Sequence, residues 1–205
     1  MSVGDLLLPY QQRWVADDSR VKVAEKSRRI GLSWAEAACA EPLSVGGGKR
    51  MMEMASKSLT RVTLELGGKN PLIVCDDADL RNAVTWTLGS AFSNAGQRCA
   101  AGSRIIVFDA VYDRFRQQLL DAVARLKVGT SDTDDFGPVI NEGQMDGMLA
   151  AVERAKAAGA LVLTGGHRLT GGGYGDGFFV APTIIEHVGP TDEISRSELF
   201  GPITC

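Results

Sequence analysis

The sequence predicts an α/β fold in which helices flank a largely parallel sheet. Two observations favour this class. From about residue 47, short apolar runs of strand length alternate with longer segments in which apolar residues recur every three or four positions. Glycine clusters separate these segments, and glycine suits tight turns and close backbone approaches. Such alternation is typical of layered domains built around parallel strands.

The first predicted elements are one helix and two strands. Residues 49–59, KRMMEMASKSL, carry apolar side chains at helical spacing. Residues 61–66, RVTLEL, alternate apolar and polar side chains, which predicts a half-buried strand. A turn at GGKN then leads into residues 71–75, PLIVC, which predict a fully apolar strand.

Three more helices and further strands follow. We expect Asp76 or Asp77 to cap the first of these helices, and Gly129 and Gly159 to end the second and third. The strands are SRIIVF, LVLT and FFVAPTII, and FGPITC is predicted to enter another strand. The apolar stripes of the helices are Leu80, Val84, Leu88 and Phe92; Val111, Phe115, Leu119, Val123 and Leu126; and Met145, Met148, Leu149, Val152 and Ala155.

Composition excludes several classes of function. A net charge of −3 gives no electrostatic case for binding nucleic acid or an anionic membrane. No apolar run is long enough to span a bilayer, and the first residues lack a basic segment typical of a signal peptide. The four cysteines show no paired spacing and the two histidines lie apart, so we expect no metal site. The predicted compartment is a reducing cytoplasm.

Two residues are candidates for covalent chemistry. Cys99 lies in a polar loop among small residues, where loop N–H groups and Arg98 would stabilise a thiolate. The alternative is a buried structural cysteine. Glu65 follows an apolar strand, and burial there would raise its pKa towards that of a general base. The alternative is a carboxylate on a solvated strand face.

Three segments resemble signatures of the aldehyde dehydrogenase superfamily. They are VTLELGGKNP at 62–71, GQRCAA at 96–101 and SELFGPI at 197–203, with GPVIN at 137–141 as a further match. Glu65 lies 34 positions before Cys99, as the family spacing requires. The resemblance covers residues 44–205 and implies a catalytic-domain-like parallel sheet flanked by helices, incomplete relative to the family.

The resemblance also implies an activity and a set of site residues. Cys99 matches the nucleophile that attacks an aldehyde, and Glu65 matches the base that activates water to hydrolyse the thioester. The implied reaction oxidises an aldehyde to a carboxylic acid, with NAD or NADP as cofactor, and full-length relatives form oligomers. The residues that match cofactor contacts are Ser44, Glu198, Phe200 and Gln144.

Some family features have no counterpart in the 205 residues. The asparagine that donates to the oxyanion, in a proline–tryptophan–asparagine context, is absent, as is the lysine that binds the adenosine ribose. We therefore expect a domain truncated at both ends and impaired in catalysis. Residues 43–60 would be a remnant of the dinucleotide-binding domain and residues 61–205 the catalytic domain. The alternative is a non-catalytic fragment that acts as an interaction module.

Residues 1–42 predict an unrelated N-terminal helical segment. They resemble the start of the ATPase domain of phage terminase large subunits, in which Gln11 or Gln12 would lie near adenine. SRRIGLS would replace a phosphate-binding loop, although Gly31 is followed by Leu32 with no lysine. A third hypothesis is therefore that residues 1–42 are an ATP-binding fragment of a DNA-packaging motor, joined near residues 41–44 to the segment that resembles aldehyde dehydrogenases.

Overall fold

The computed structural model describes residues 45–205 of the chain. These residues fall into two compact units, which divide between Leu66 and Gly67. The predicted terminase-like segment, residues 1–42, lies outside the described residues, as does Ser44. The predicted boundary at residues 60–61 stays a prediction.

The first unit contains helix α1, Val45–Ser56, which confirms the predicted helix. The predicted strand at residues 61–66 is wrong, because the segment is not strand and pairs with none of the described residues. Instead, Leu64 and Leu66 pack over α1 at Gly48, where a Cβ would come within 3.3 Å of the Leu66 side chain. Alternating apolar residues here contact a helix and not a neighbouring strand.

The second unit is built on five short strands. β1 and β2 are parallel, β3 and β4 are antiparallel, and β4 and β5 are parallel. The strands are β1, Asn70–Val74; β2, Gly102–Val107; β3, Leu161–Thr164; β4, Thr183–Glu186; and β5, Ile203–Thr204.

Hydrogen bonds at the end of β5 join these pairs into one sheet. The Ile105 N–H donates to the Cys205 carbonyl at 2.6 Å, and the Cys205 N–H donates to the Ser103 carbonyl at 3.2 Å. Cys205 thus bonds two different residues of β2, Ser103 and Ile105, which is the hydrogen-bond pattern of parallel strands. The strand order is therefore β1-β2-β5-β4-β3, and only the outer β3–β4 pair is antiparallel, as the predicted largely parallel sheet requires.

The helices of the second unit largely follow their predicted stripes. Of the predicted stripe residues, Val84, Phe92, Val111, Phe115 and Met148 are all buried in one hydrophobic cluster. The Phe92 ring also stacks on Phe136, with centroids 6.4 Å apart, and so holds the segment around Phe136 against the core. The helices are α2, Leu80–Phe92; α3, Asp109–Val123; α4, Glu142–Ala157; and α5, Glu193–Arg196.

Two of the predicted helix ends are wrong. Asp79, not Asp76 or Asp77, caps α2, because its carboxylate accepts from the N–H groups of Arg81 and Asn82. Helix α3 ends at Val123, well before Gly129, whose N–H donates to the Phe136 carbonyl in the following loop.

One further predicted helix end is correct, whereas one predicted strand starts later than expected. Gly159, at φ +98°, follows α4 as predicted. The predicted strand FFVAPTII is shorter than expected and begins only at Thr183. Before that residue, Val180 forms an isolated bridge with Arg168 and is not part of the sheet.

Candidate active site

The candidate site begins with an unusual turn after α2. Asn94, Ala95 and Gly96 have φ values of 56°, 54° and 66°, so three consecutive residues lie in the left-handed region. Such residues cost on the order of 1–3 kcal/mol each unless glycine occupies them. A Cβ on Gly96 would collide with the Gly201 carbonyl, so the absent side chain lets the segment before β5 approach this turn. The turn therefore positions the loop that follows it.

Cys99 lies in that loop with its side chain exposed and unbridged. The alternative of a buried structural cysteine is therefore wrong. Arg98, expected to stabilise the thiolate, donates instead to the carbonyls of Gly89 and Ser90, at 2.8 and 2.9 Å. The guanidinium satisfies carbonyls near the C-terminus of α2, where positive charge is favourable.

The turn at residues 67–70 packs directly against the Cys99 loop. The Asn70 amide donates to the carbonyls of Cys99, at 2.5 Å, and Ala101, at 3.3 Å. In the opposite direction, the Arg104 guanidinium donates twice to the Lys69 carbonyl, at 2.7 and 3.1 Å. A Cβ on Gly68 would lie 3.0 Å from the Cys99 carbonyl, so glycine permits this close approach.

Glu198 joins the third signature segment to the same turn. Its carboxylate accepts from the Gly68 N–H at 3.1 Å and fills the space that a Gly67 side chain would need. Together with Phe200, the carboxylate lines a small cavity with room for about one water molecule. Phe200, with φ 53°, leaves 40% of its surface exposed.

Two glutamine side chains attach α4 and the segment before it to the site. Gln144 lies in the first turn of α4, and its amide donates to the Leu199 carbonyl at 2.7 Å. Gln97, just before Cys99, accepts from the Ile140 N–H at 3.0 Å. Both contacts hold loop backbone.

Burial perturbs two titratable groups beside the site. Burial lowers the pKa of the Lys69 ammonium, and Arg104 lowers it further, while Cys205 and Glu198 oppose this change. Burial likewise raises the pKa of the Cys205 thiol, and Lys69 partly offsets that effect. The interior beneath the 67–70 turn therefore disfavours charge.

Glu65 departs from its predicted environment. It is exposed and lies outside any strand, so the prediction of a buried strand-end carboxylate is wrong. Glu65 belongs to the first unit and Cys99 to the second, and their convergence on one reacting carbon stays a prediction. The segments that the structure does bring together are 67–70, the Cys99 loop and 197–201.

Sequence reasoning missed the residues that hold these segments together. Asn70, Gln97 and Arg104 lie within or beside the signature segments, but their roles depend on backbone partners, carbonyls for Asn70 and Arg104 and an N–H for Gln97, that sequence spacing does not reveal. The available signal was the density of polar side chains within loops that are otherwise built from small residues.

The family of the chain follows from a comparison with models of known protein families. The model of the aldehyde dehydrogenase family matches residues 44–205. The chain belongs to the aldehyde dehydrogenase family. An aldehyde dehydrogenase of Agaricus bisporus is 42% identical over 159 residues, which make up 76% of this chain and 31% of that protein.

Solved structures agree with this membership and confirm the fold class. Betaine aldehyde dehydrogenase of Staphylococcus aureus in complex with NAD⁺ is 38% identical, with a TM-score of 0.76. The match covers 78% of this chain and 32% of that one. An apo form of a variant of the same enzyme gives a TM-score of 0.76 at 39% identity. The chain thus spans about a third of the length of the relatives it matches.

Residues 45–205 contain neither a helix that could span a membrane nor a group of side chains that could bind a metal ion. None of the helices there combines the length and the apolar character that crossing a bilayer demands. The same residues contain no cluster of three or more histidine, cysteine, aspartate or glutamate side chains arranged to bind a metal ion.

Proposed function

We propose that the chain carries the reacting groups of an NAD(P)-dependent oxidation of an aldehyde to a carboxylic acid. The observation that supports this most is the convergence of the turn 67–70 and the segment 197–201 on a loop that exposes the Cys99 thiol. Membership of the aldehyde dehydrogenase family supports the oxidation of an aldehyde as the reaction that these groups carry out. The exposed, unbridged thiols of Cys75 and Cys99 suit a reducing cytoplasm.

The first step is attack of the Cys99 thiolate on the aldehyde carbonyl. A carbon–sulfur bond forms, and the carbonyl oxygen takes the negative charge of the resulting thiohemiacetal. The Cys99 N–H donates to no acceptor within residues 45–205, so it can donate to that oxygen. Small neighbours, Ala100 and Ala101 among them, leave the sulfur open to a substrate.

The residues present fit the nicotinamide ribose end of the cofactor. The Glu198 carboxylate is half-buried and uses one oxygen for the Gly68 N–H, which leaves acceptor capacity for ribose hydroxyls. The partly exposed Phe200 ring lies two residues further and offers an apolar surface. When bound, the nicotinamide supplies the acceptor for the hydride that leaves the thiohemiacetal and so yields a Cys99 thioester.

Two further cofactor contacts belong to the proposal. Ser44 would meet the pyrophosphate at the N-terminus of a helix, where N–H groups favour an anion. Gln144 would act from α4, where its amide holds the Leu199 carbonyl between Glu198 and Phe200.

Glu65 would take a proton from water, which attacks the thioester, releases the carboxylic acid and restores the Cys99 thiolate.

The proposal is tested with the 205-residue chain, an aldehyde and NAD⁺ or NADP⁺. We expect reduced nicotinamide to form, and Cys99→Ala to abolish its formation while the exposed control Cys75→Ala does not. Glu65→Gln should leave a rapid first turnover and slow later ones by about 10²–10⁴, because hydrolysis loses its base. Wild-type turnover that survives in Cys99→Ala would overturn the role of Cys99.

A further inference from the structure

We propose that Asn70 is a positioning residue, which holds the Cys99 loop so that the thiol and the Cys99 N–H act on the same carbonyl group. This inference rests on the proposed function for its chemical meaning. Asn70 contacts neither substrate nor cofactor in that function, because its amide is directed at backbone carbonyls of the loop.

The pairing of β1 with β2 is irregular at Asn70. β1 and β2 pair with a shift between Asn70 and Pro71, because Asn70 is opposite Gly102 while Pro71 is opposite Arg104. Ser103 is therefore an extra residue in β2, as in a β-bulge. Bulges change the direction of the chain, so this one sets the angle at which the Cys99 loop leaves the sheet.

Side chains fix the bulge from both strands. Asn70 donates to two carbonyls before the bulge, those of Cys99 and Ala101, whereas Arg104 donates from after it to the Lys69 carbonyl. Gly68 allows the two segments to approach, since a Cβ there would touch the Cys99 carbonyl. The Asn70 amide thus restrains rotation of the Cys99 peptide group relative to a strand of the core.

This restraint has a specific chemical consequence. The Cys99 carbonyl and its N–H share one Cα, so fixing the carbonyl limits the directions in which the N–H and the sulfur point. A reaction that develops an oxyanion needs both groups at once. A simple alkylation by iodoacetamide needs only the thiolate, because iodide leaves and no oxyanion forms.

The experiment compares these two reactions at Cys99 in the 205-residue chain without any cofactor. The acylation probe is p-nitrophenyl acetate: a bond forms between the Cys99 sulfur and the acetyl carbon, and p-nitrophenolate leaves. The alkylation probe is iodoacetamide. Peptide mass spectrometry gives both rates for Cys99, and Cys75 in the same molecule is the internal reference.

We expect Asn70→Ala to slow acylation of Cys99 by about 10²-fold, the usual effect of losing an oxyanion donor, while alkylation changes less than about threefold. Asn82→Ala, at an exposed position of α2, is the matched control and should change neither rate. Asn70→Asp keeps the shape but removes the donor, and it should slow acylation at least as much. It reports on the proposal even if Asn70→Ala does not fold.

Equal changes in the two rates, or no change in either, would overturn the positioning role. Loss of global stability alone would lower the unfolding temperature without altering the ratio of acylation to alkylation. Absence of aldehyde turnover in the wild type would contradict the proposed function but leave this ratio measurable, so the two failures are distinguishable.

Discussion

Two residues in the turn before the candidate nucleophile, Asn94 and Ala95, store conformational strain, and the glycine that follows them has no room for a side chain. Asn94 and Ala95 adopt positive φ, and Gly96 does so against the Gly201 carbonyl. Because this turn sits between α2 and the Cys99 loop, its conformation is passed on to the loop. Strain of this kind persists where the surrounding contacts determine the backbone.

Gly96→Ala should therefore be strongly destabilising. The left-handed conformation alone costs about 1–2 kcal/mol for alanine, and the collision with Gly201 adds to it, so we expect the free energy of unfolding to fall by at least ~2 kcal/mol. Gly147→Ala is the matched control. A Cβ there has no neighbour within 4 Å inside helix α4, so that variant should gain roughly 0.5–1 kcal/mol. Urea unfolding measures both, and equal effects would contradict the prediction.

At this scale the sequence identifies candidate reactive residues but not what holds them. Cys99 could be selected because a loop cysteine among small residues is chemically distinctive. Asn70 and Gln97 could not, because an amide in a loop has many possible partners, and only the fold selects the Cys99 carbonyl for Asn70 and the Ile140 N–H for Gln97. The burial of Glu65 was mispredicted for a related reason, since an alternating pattern does not say which face is covered.

Among the elements, periodicity predicts the long helices and the apolar strands well. The stripes of α2, α3 and α4 are largely buried, because a helix of that length has one face that must be covered. Ends and short strands depend on tertiary partners instead. Asp79 caps α2 because it reaches two N–H groups, whereas residues 61–66 have a strand-like pattern without a neighbouring strand to pair with.

One contact between elements should make stability depend on acidic pH. Arg116 on α3 forms two hydrogen bonds with Glu186 at the end of β4, at 2.8 and 3.0 Å, and Tyr112 donates a third. Hydrogen bonding to Arg116 lowers the pKa of the Glu186 carboxyl, despite the opposing effect of burial, and His187 adds a small contribution in the same direction. The folded state therefore releases this proton more readily than the unfolded state.

A lowered pKa in the folded state stabilises the protein above the usual glutamate pKa of about 4.3, and the stabilisation is lost as pH falls through the folded value. We expect Glu186→Gln to flatten the fall in unfolding free energy below about pH 5. Glu153→Gln, which removes an exposed pair with Lys156, should leave that slope unchanged. Chemical denaturation at several pH values measures this, and an unaltered slope in Glu186→Gln would refute it.

In the second unit as a whole, the β1–β2 pair and the three strands β3, β4 and β5 form one sheet through only a few hydrogen bonds. Cys205 bonds Ser103 and Ile105 on β2, and it follows β5, which pairs with β4. The cluster of buried residues runs through all these elements, with Phe115 of α3 among its largest fully buried side chains. The sheet and the helices should therefore unfold in one transition.

Thiol labelling can test that cooperativity, because the three described cysteines differ in burial. Cys75 and Cys99 are exposed, whereas the Cys205 thiol is largely covered, and burial raises its pKa. If Cys205 reacts only after global unfolding, Phe115→Ala, which costs about 3–5 kcal/mol, should accelerate its labelling by about 10²–10⁴. Labelling of Cys75 and Cys99 should not change, since neither needs an opening event. Cys205 labelling that is fast in the wild type and insensitive to Phe115→Ala would mean that the β2–β5 junction opens by itself, and the single-sheet unit would not be cooperative.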